Sequence, residues 1–118
     1  MFLILFVLHD TSKLEQILKC WSDAGVKGTT ILLSTGFKRI GKSNILSEDI
    51  PLIFNLADIL EHEEKTNRTL FSVVKDEETV DRVINVTQEL IGDLNQPNTG
   101  ILTVLPVSRA YGLERIYE

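Results

Sequence analysis

Cysteine, long apolar runs and concentrated positive charge are all scarce in this chain, and each shortage excludes a class of protein. A single cysteine, Cys20, leaves no internal disulfide to form, which leans towards a reducing, cytoplasmic setting. Cys20 has no obvious partner and reads as a helix side chain rather than a nucleophile. Lysine and arginine number 12 against 17 acidic residues, a net charge of -5. A nucleic-acid footprint needs a basic face, and basic residues gather only at Lys38, Arg39 and Lys42, so no nucleic-acid partner is expected. The apolar run Phe2 to Leu8 is far shorter than the roughly 20 residues that cross a bilayer. It has neither the positive leader nor the cleavage site of a signal peptide, and it reads as a buried strand with no membrane span. No catalytic motif, low-complexity segment or internal repeat beyond two βαβ halves stands out.

What remains has the composition of a globular domain: 43% hydrophobic and 25% charged residues over 118 positions, enough for one core and too few for two. A single domain over residues 1–118 is expected. Residues 2–9 are apolar at every position up to Leu8, as in a strand at the middle of a sheet. Ser12 and Glu15 form a capping-box pattern, Leu14, Ile17, Leu18 and Trp21 follow at helical spacing, and Gly25 stops the helix. Thr29 to Leu33 is β-branched and apolar, which suits a pleated and largely buried strand, and Gly36 ends it with a turn where a ligand or second backbone can approach closely.

From Phe37 to Pro51 the chain is polar and longer than the usual connection of about 4 to 6 residues. Asn55 then opens a short helix with Leu56, Ala57, Ile59 and Leu60 on its apolar side, and this whole region reads as an insertion. Thr69 to Val74 is the third strand. Asp76 caps a second helix with Val80, Val83, Ile84, Thr87 and Ile91 as its buried stripe, closed by Gly92. Residues 95–100 are a dense turn signal, and Ile101 to Leu105 is the last strand, with Pro106 limiting its pairing.

The order predicts an α+β, ferredoxin-like βαββαβ fold, with one four-stranded antiparallel sheet, two helices on one face and a helix-bearing insertion between the second and third strands. In the first strand Leu3, Leu5 and Val7 alternate with Ile4, Phe6 and Leu8, so the face without helices is apolar too and is expected to be buried by other copies.

Candidate chemistry is sparse. The glycine-containing turn Asn98-Thr99-Gly100 points to an anion site, because such a turn aims backbone N–H groups at one place. Glu61-His62-Glu63-Glu64 carries metal-capable side chains but reads as a solvated helix end, since a metal site needs ligands that converge from separated positions. His9 and Asp10 lack the third member of a catalytic constellation, and Asp10 is assigned to the start of the first helix.

Three stretches together resemble the PII signalling-protein family: Gly25-Val26-Lys27-Gly28-Thr29-Thr30 with Gly36-Phe37; Thr69 to Val74 followed by Glu78-Thr79-Val80-Asp81; and Asn98 to Arg109. The resemblance implies a homotrimer with inward-facing sheets, small ligands such as ATP or ADP in clefts between subunits, and a T-loop at residues 37–66 that changes shape with the ligand and docks on a target protein. By position, Thr29, Gly36, Phe37 and Lys38 would line the cleft, Asn98, Thr99 and Gly100 would sit at the phosphates, and Arg109 would be an anion contact. Where the family has a lysine after the B-loop glycine this chain has Ile101, and one phosphate-pairing arginine falls at Gly112. The adenine-nucleotide expectation is weakened accordingly. Residues 37–50 contain no tyrosine, so uridylylation is not expected. The reading is therefore a non-catalytic sensor or adaptor for a small anionic metabolite or nucleotide. Its alternatives are a small ferredoxin-like enzyme working at His9 and Asp10, or a metal-binding trimer of the CutA kind working at residues 61–64.

Overall fold

The computed structural model describes residues 1–36, 66–97 and 99–113. Six elements follow one another: strand β1 (Phe2–Leu8), helix α1 (Leu14–Asp23), strands β2 (Thr30–Thr35) and β3 (Thr66–Val74), helix α2 (Glu77–Ile91) and strand β4 (Gly100–Pro106). The fold is α+β, with four antiparallel strands in the order β2-β3-β1-β4, an arrangement compatible with a ferredoxin-like fold. The insertion predicted over residues 37–66, with its short helix and the residues 61–64 run, lies outside the described residues except for Thr66, which opens β3.

Register fixes the two faces of the sheet, because residues opposite one another on neighbouring strands share a face. Ile4 stands between Ser72 and Val104, and Phe6 between Leu70 and Leu102. This is the face the helices cover. Ile4, Phe6, Leu8, Leu70 and Val74 from the sheet are buried with Ile17 and Trp21 of α1 and Val80 and Val83 of α2 in one hydrophobic cluster. Ile84 and Ile91, expected in the buried stripe of α2, are only partly buried at its border.

The helix ends follow from short-range chemistry. Asp76 Oδ1 accepts hydrogen bonds from the backbone N–H and the hydroxyl of Thr79, at 2.8 and 2.7 Å, so α2 starts where the sequence places it. At the end of α1 the N–H of Gly25 donates to Ser22 O and that of Val26 to Trp21 O, a Schellman closure that needs the positive φ of 110° at Gly25. The start of α1 differs from expectation. Asp10 caps a 3-10 turn over Thr11–Lys13, and the Ser12 hydroxyl bonds to the Asp10 carboxylate, so the Ser12–Glu15 capping box does not form.

Strand β2 also departs from the sequence reading. It lies at the edge of the sheet, and Ile31, Leu32 and Leu33 are exposed rather than largely buried. The apolar, β-branched composition shows that the segment is a strand, but burial depends on what lies beside it, and among the described residues β3 is its one neighbour.

Candidate ligand site

The strand directions decide which candidate residues share an end of the sheet. Strand β1 runs antiparallel to β3 and β4, and β2 runs antiparallel to β3. Gly36, just past β2, and Thr99 with Gly100, at the start of β4, therefore lie at one end. Thr29, just before β2, and Arg109, just past β4, lie at the other. Gly36 and Gly100 are at opposite edges of that end, three strand spacings or about 14 Å apart. The length of β2 separates Thr29 from Gly36 by roughly 20 Å. One copy of the chain does not bring the described candidates, Thr29, Gly36, Thr99, Gly100 and Arg109, to one place. Phe37, Lys38 and Asn98 lie outside the described residues.

Gly100 has a structural reason for being glycine. Its φ is 137°, and a Cβ there would stand 2.5 Å from the carbonyl oxygen of Val7 and 2.8 Å from the Phe6 ring of β1, the strand beside which Gly100 pairs. Thr99 is engaged within its own turn, its Oγ1 donating to Gln96 O at 2.9 Å and, more distantly, to Leu94 O at 3.4 Å. The turn is thus held in shape from inside, with its chain entering β4 at the sheet edge.

Beside Gly36 the bare face of the sheet carries a polar group of side chains to which the sequence reading gives no role. Ser34 Oγ donates to Asn67 Oδ1 directly across the β2–β3 ladder and lies 2.8 Å from Thr69 Oγ1. Asn67 is buried. Only the register unites these three, which is why separate strand positions in the sequence do not reveal them.

At the opposite end the chain between α1 and β2 is tied down by side chains of β3 and α2. Ser72 Oγ donates to Gly28 O. Arg82 Nε donates to Ala24 O at 2.9 Å and Arg82 Nη2 to Thr79 Oγ1 at 3.0 Å, which links the end of α1 to the capped start of α2. Thr29 is delivered to β2 from this fixed junction, half-buried, while Arg109 is exposed.

The two aspartates that cap turns are held below the ordinary carboxylate range. The Ser12 hydroxyl and then its N–H lower Asp10, and the Thr79 N–H and then its hydroxyl lower Asp76. Asp10 is thereby occupied in starting the first helical segment, as the sequence suggests.

Ile101 and Gly112, at the two positions where the family resemblance implies phosphate contacts, supply no side-chain donor. Ile101 follows Gly100 with its side chain exposed on the bare face, and Gly112 lies in the exposed tail. Arg109 is at the far end of the sheet. Among the described residues no three His, Cys, Asp or Glu side chains gather as a metal site, and no helix is long and apolar enough to cross a membrane. No protein-family model matches this sequence, and no curated protein matches it either.

Proposed function

We propose that this chain is a ferredoxin-like, PII-like subunit that works without catalysis, as a sensor or adaptor assembled from three copies. The observation that carries the reading is a sheet with one apolar face that no helix among the described residues covers. Leu3, Leu5 and Val7 of β1, Phe71 and Val73 of β3, and Ile101 and Leu105 of β4 share the face opposite the helices. Apolar surface of this extent is costly in water, at about 25 cal/mol for each Å², and copies of the chain facing inward remove it from solvent.

The same assembly accounts for the placement of the candidate ligand residues. The described ones, split between the two edges and two ends of the sheet, do not converge in one copy, whereas the turn before Gly100 of a neighbouring copy can face the Gly36 junction. The ligand of such a cleft is a small anionic metabolite or nucleotide, met by backbone N–H groups near Gly36 and Gly100, while Arg109 offers a separate anion contact at the other end of the sheet. With Ile101 where an ammonium would contact phosphate, adenine nucleotides bind weakly or not at all. Residues 37–66 carry the ligand-dependent signal to a target protein.

The test is a thermal-shift screen of nucleotides and anionic metabolites on the purified chain, run beside multi-angle light scattering. A ligand at about 100 times its dissociation constant adds about 2.7 kcal/mol of stability. A stable monomer by light scattering rules the reading out, and a large shift with ATP refutes the weight placed on Ile101.

A further inference from the structure

The helices leave two apolar side chains on their own side of the sheet in solvent. Leu33 is 73% exposed and Ile31 41% exposed on edge strand β2, and their ladder partners are Arg68 and Leu70 of β3. Leu70 is fully buried beneath the helices, so this side of the sheet passes from core to solvent within one strand spacing of about 4.8 Å. Ile31 and Leu33 belong neither to the core cluster nor to the partly buried apolar residues packed against it. Copies that meet through their bare faces keep the helix side outside, so the assembly proposed above does not cover this patch.

The chain leaves the sheet two residues past Leu33. Thr35 of β2 pairs with Thr66 of β3, so the stretch between them begins and ends on neighbouring strands, with Leu33 only about 7 Å from Thr35 along β2. Residues 48–64 of that stretch lie outside the described residues. Their sequence is divided between two kinds of side chain. Ile50, Leu52, Ile53, Phe54, Leu56 and Ile59 are apolar, Glu48, Asp49, Asp58, Glu61, Glu63 and Glu64 are acidic, and there is no lysine or arginine. So many apolar side chains in a row need a surface to bury against.

We infer that residues 50–60 dock on Ile31 and Leu33 of their own chain, with the flanking carboxylates around the Arg68 guanidinium. Two observations favour this side of the sheet over the other. On the bare face the surface nearest the chain's exit is polar, because Ser34, Asn67 and Thr69 stand there joined by hydrogen bonds through Ser34. Apolar side chains laid over that group would take hydroxyls and an amide out of water without burying apolar surface in return. On the helix side the exit is flanked by Leu33 and, directly across the ladder, by half-buried Arg68, whose Nη1 donates to Asn67 O at 3.2 Å. A segment with an apolar centre and acidic flanks complements an apolar patch bordered by a guanidinium. Tethered a few residues away, it also meets the patch at high effective concentration. The inference concerns one copy and goes beyond the sensor reading, in which the target-docking role of residues 37–66 then falls to the basic stretch with Lys38, Arg39 and Lys42.

Limited proteolysis of the full chain tests this, with the cuts located by mass spectrometry. In the wild type chymotrypsin should cleave slowly after Phe54 and Leu56, and trypsin readily at Lys38, Arg39 and Lys42. Leu33→Glu puts a carboxylate into the apolar seat and should raise the rates at Phe54 and Leu56 roughly tenfold or more, with the tryptic rates nearly unchanged. Circular dichroism and a cooperative melt establish that the variant folds, with Leu33→Ser in its place if it does not. Methyl NMR on mixtures of labelled and unlabelled chains should show nuclear Overhauser contacts from Ile31 and Leu33 to residues 50–60 of the same chain. Fast wild-type cleavage at Phe54 and Leu56, equal rates in the two proteins, or an equal rise at the tryptic sites overturns the docking. Contacts that run between chains overturn it in favour of a second copy. Light scattering on the same samples keeps the two readings apart: a monomer with residues 50–60 protected refutes the trimer and leaves the docking standing, and an oligomer with them unprotected does the reverse.

Discussion

The indole Nε1 of Trp21 donates a 2.9 Å hydrogen bond to Oγ1 of Thr87, joining α1 to α2 inside the core. Thr87 Oγ1 in turn donates to Val83 O at 2.6 Å, so a wholly buried hydroxyl is used in both directions. The indole also meets the Phe6 ring at a centroid distance of 6.2 Å, which ties both helices to the central strand. Thr87→Val keeps the shape and removes the acceptor, leaving the indole N–H buried without a partner. The expected loss is about 1 to 3 kcal/mol. Urea denaturation followed by the fluorescence of this single tryptophan measures it, and a midpoint equal to wild type would show that the bond contributes nothing.

Parts of the fold were legible in the sequence because the forces behind them act over a few residues. Asp76 meets Thr79 three positions on, and Gly25 closes α1 by bonds that reach back no further than Trp21. The central position of β1 shows in its unbroken apolar run. The capping box expected at the start of α1 gives way because Ser12–Glu15 and Asp10–Ser12 compete for the same stretch, and the nearer carboxylate takes the Ser12 N–H. Exposure of Ile31 to Leu33 was not legible, since it depends on strand order. For the same reason the sequence separation of Thr29, Gly36 and Gly100 did not say which end of the sheet each would occupy.

Gly100 separates two explanations for a glycine at the entrance to β4, ligand approach and backbone packing. Gly100→Ala forces a side chain against Val7 O and the Phe6 ring at a φ of 137°. Strained backbone of this kind costs about 1 to 3 kcal/mol, and the clash adds to it. Gly92→Ala is the control: its φ is 102°, and a Cβ there meets nothing within 4 Å. The Gly100 variant should melt well below the Gly92 variant in the absence of any ligand. Equal melting temperatures would mean that β4 is free to move away from β1.

Stability should fall in acid partly through the helix caps. The Asp76 carboxyl is held below its ordinary value of about 3.9 by the Thr79 N–H and hydroxyl, and Asp10 is held down by Ser12. A depressed folded-state value stabilises the fold above the unfolded value, and the contribution disappears as pH falls from there through the folded value. Asn caps a helix about as well as Asp, so Asp76→Asn should match wild type near neutrality and lose less stability as pH falls below about 4. Urea midpoints across that range decide it. Parallel curves for the two proteins would remove Asp76 from the account.

Ile101 offers the sharpest test of the nucleotide question, because its side chain is exposed at the start of β4 in one copy, with light scattering as the check that the lysine variant still assembles. If the turn before it approaches phosphate between copies, Ile101→Lys supplies an ammonium where the wild type has only a hydrocarbon. A charge-assisted hydrogen bond contributes about 1.5 to 3 kcal/mol, or roughly one to two decades of affinity. ATP and ADP should then raise the melting temperature of the variant more than that of the wild type, and raised ionic strength should shrink the difference. Calorimetric titration gives the affinities directly. Equal, negligible binding by both proteins would mean that this end of the sheet does not meet phosphate, and the ligand would then have to be sought among anions bound at the Arg109 end.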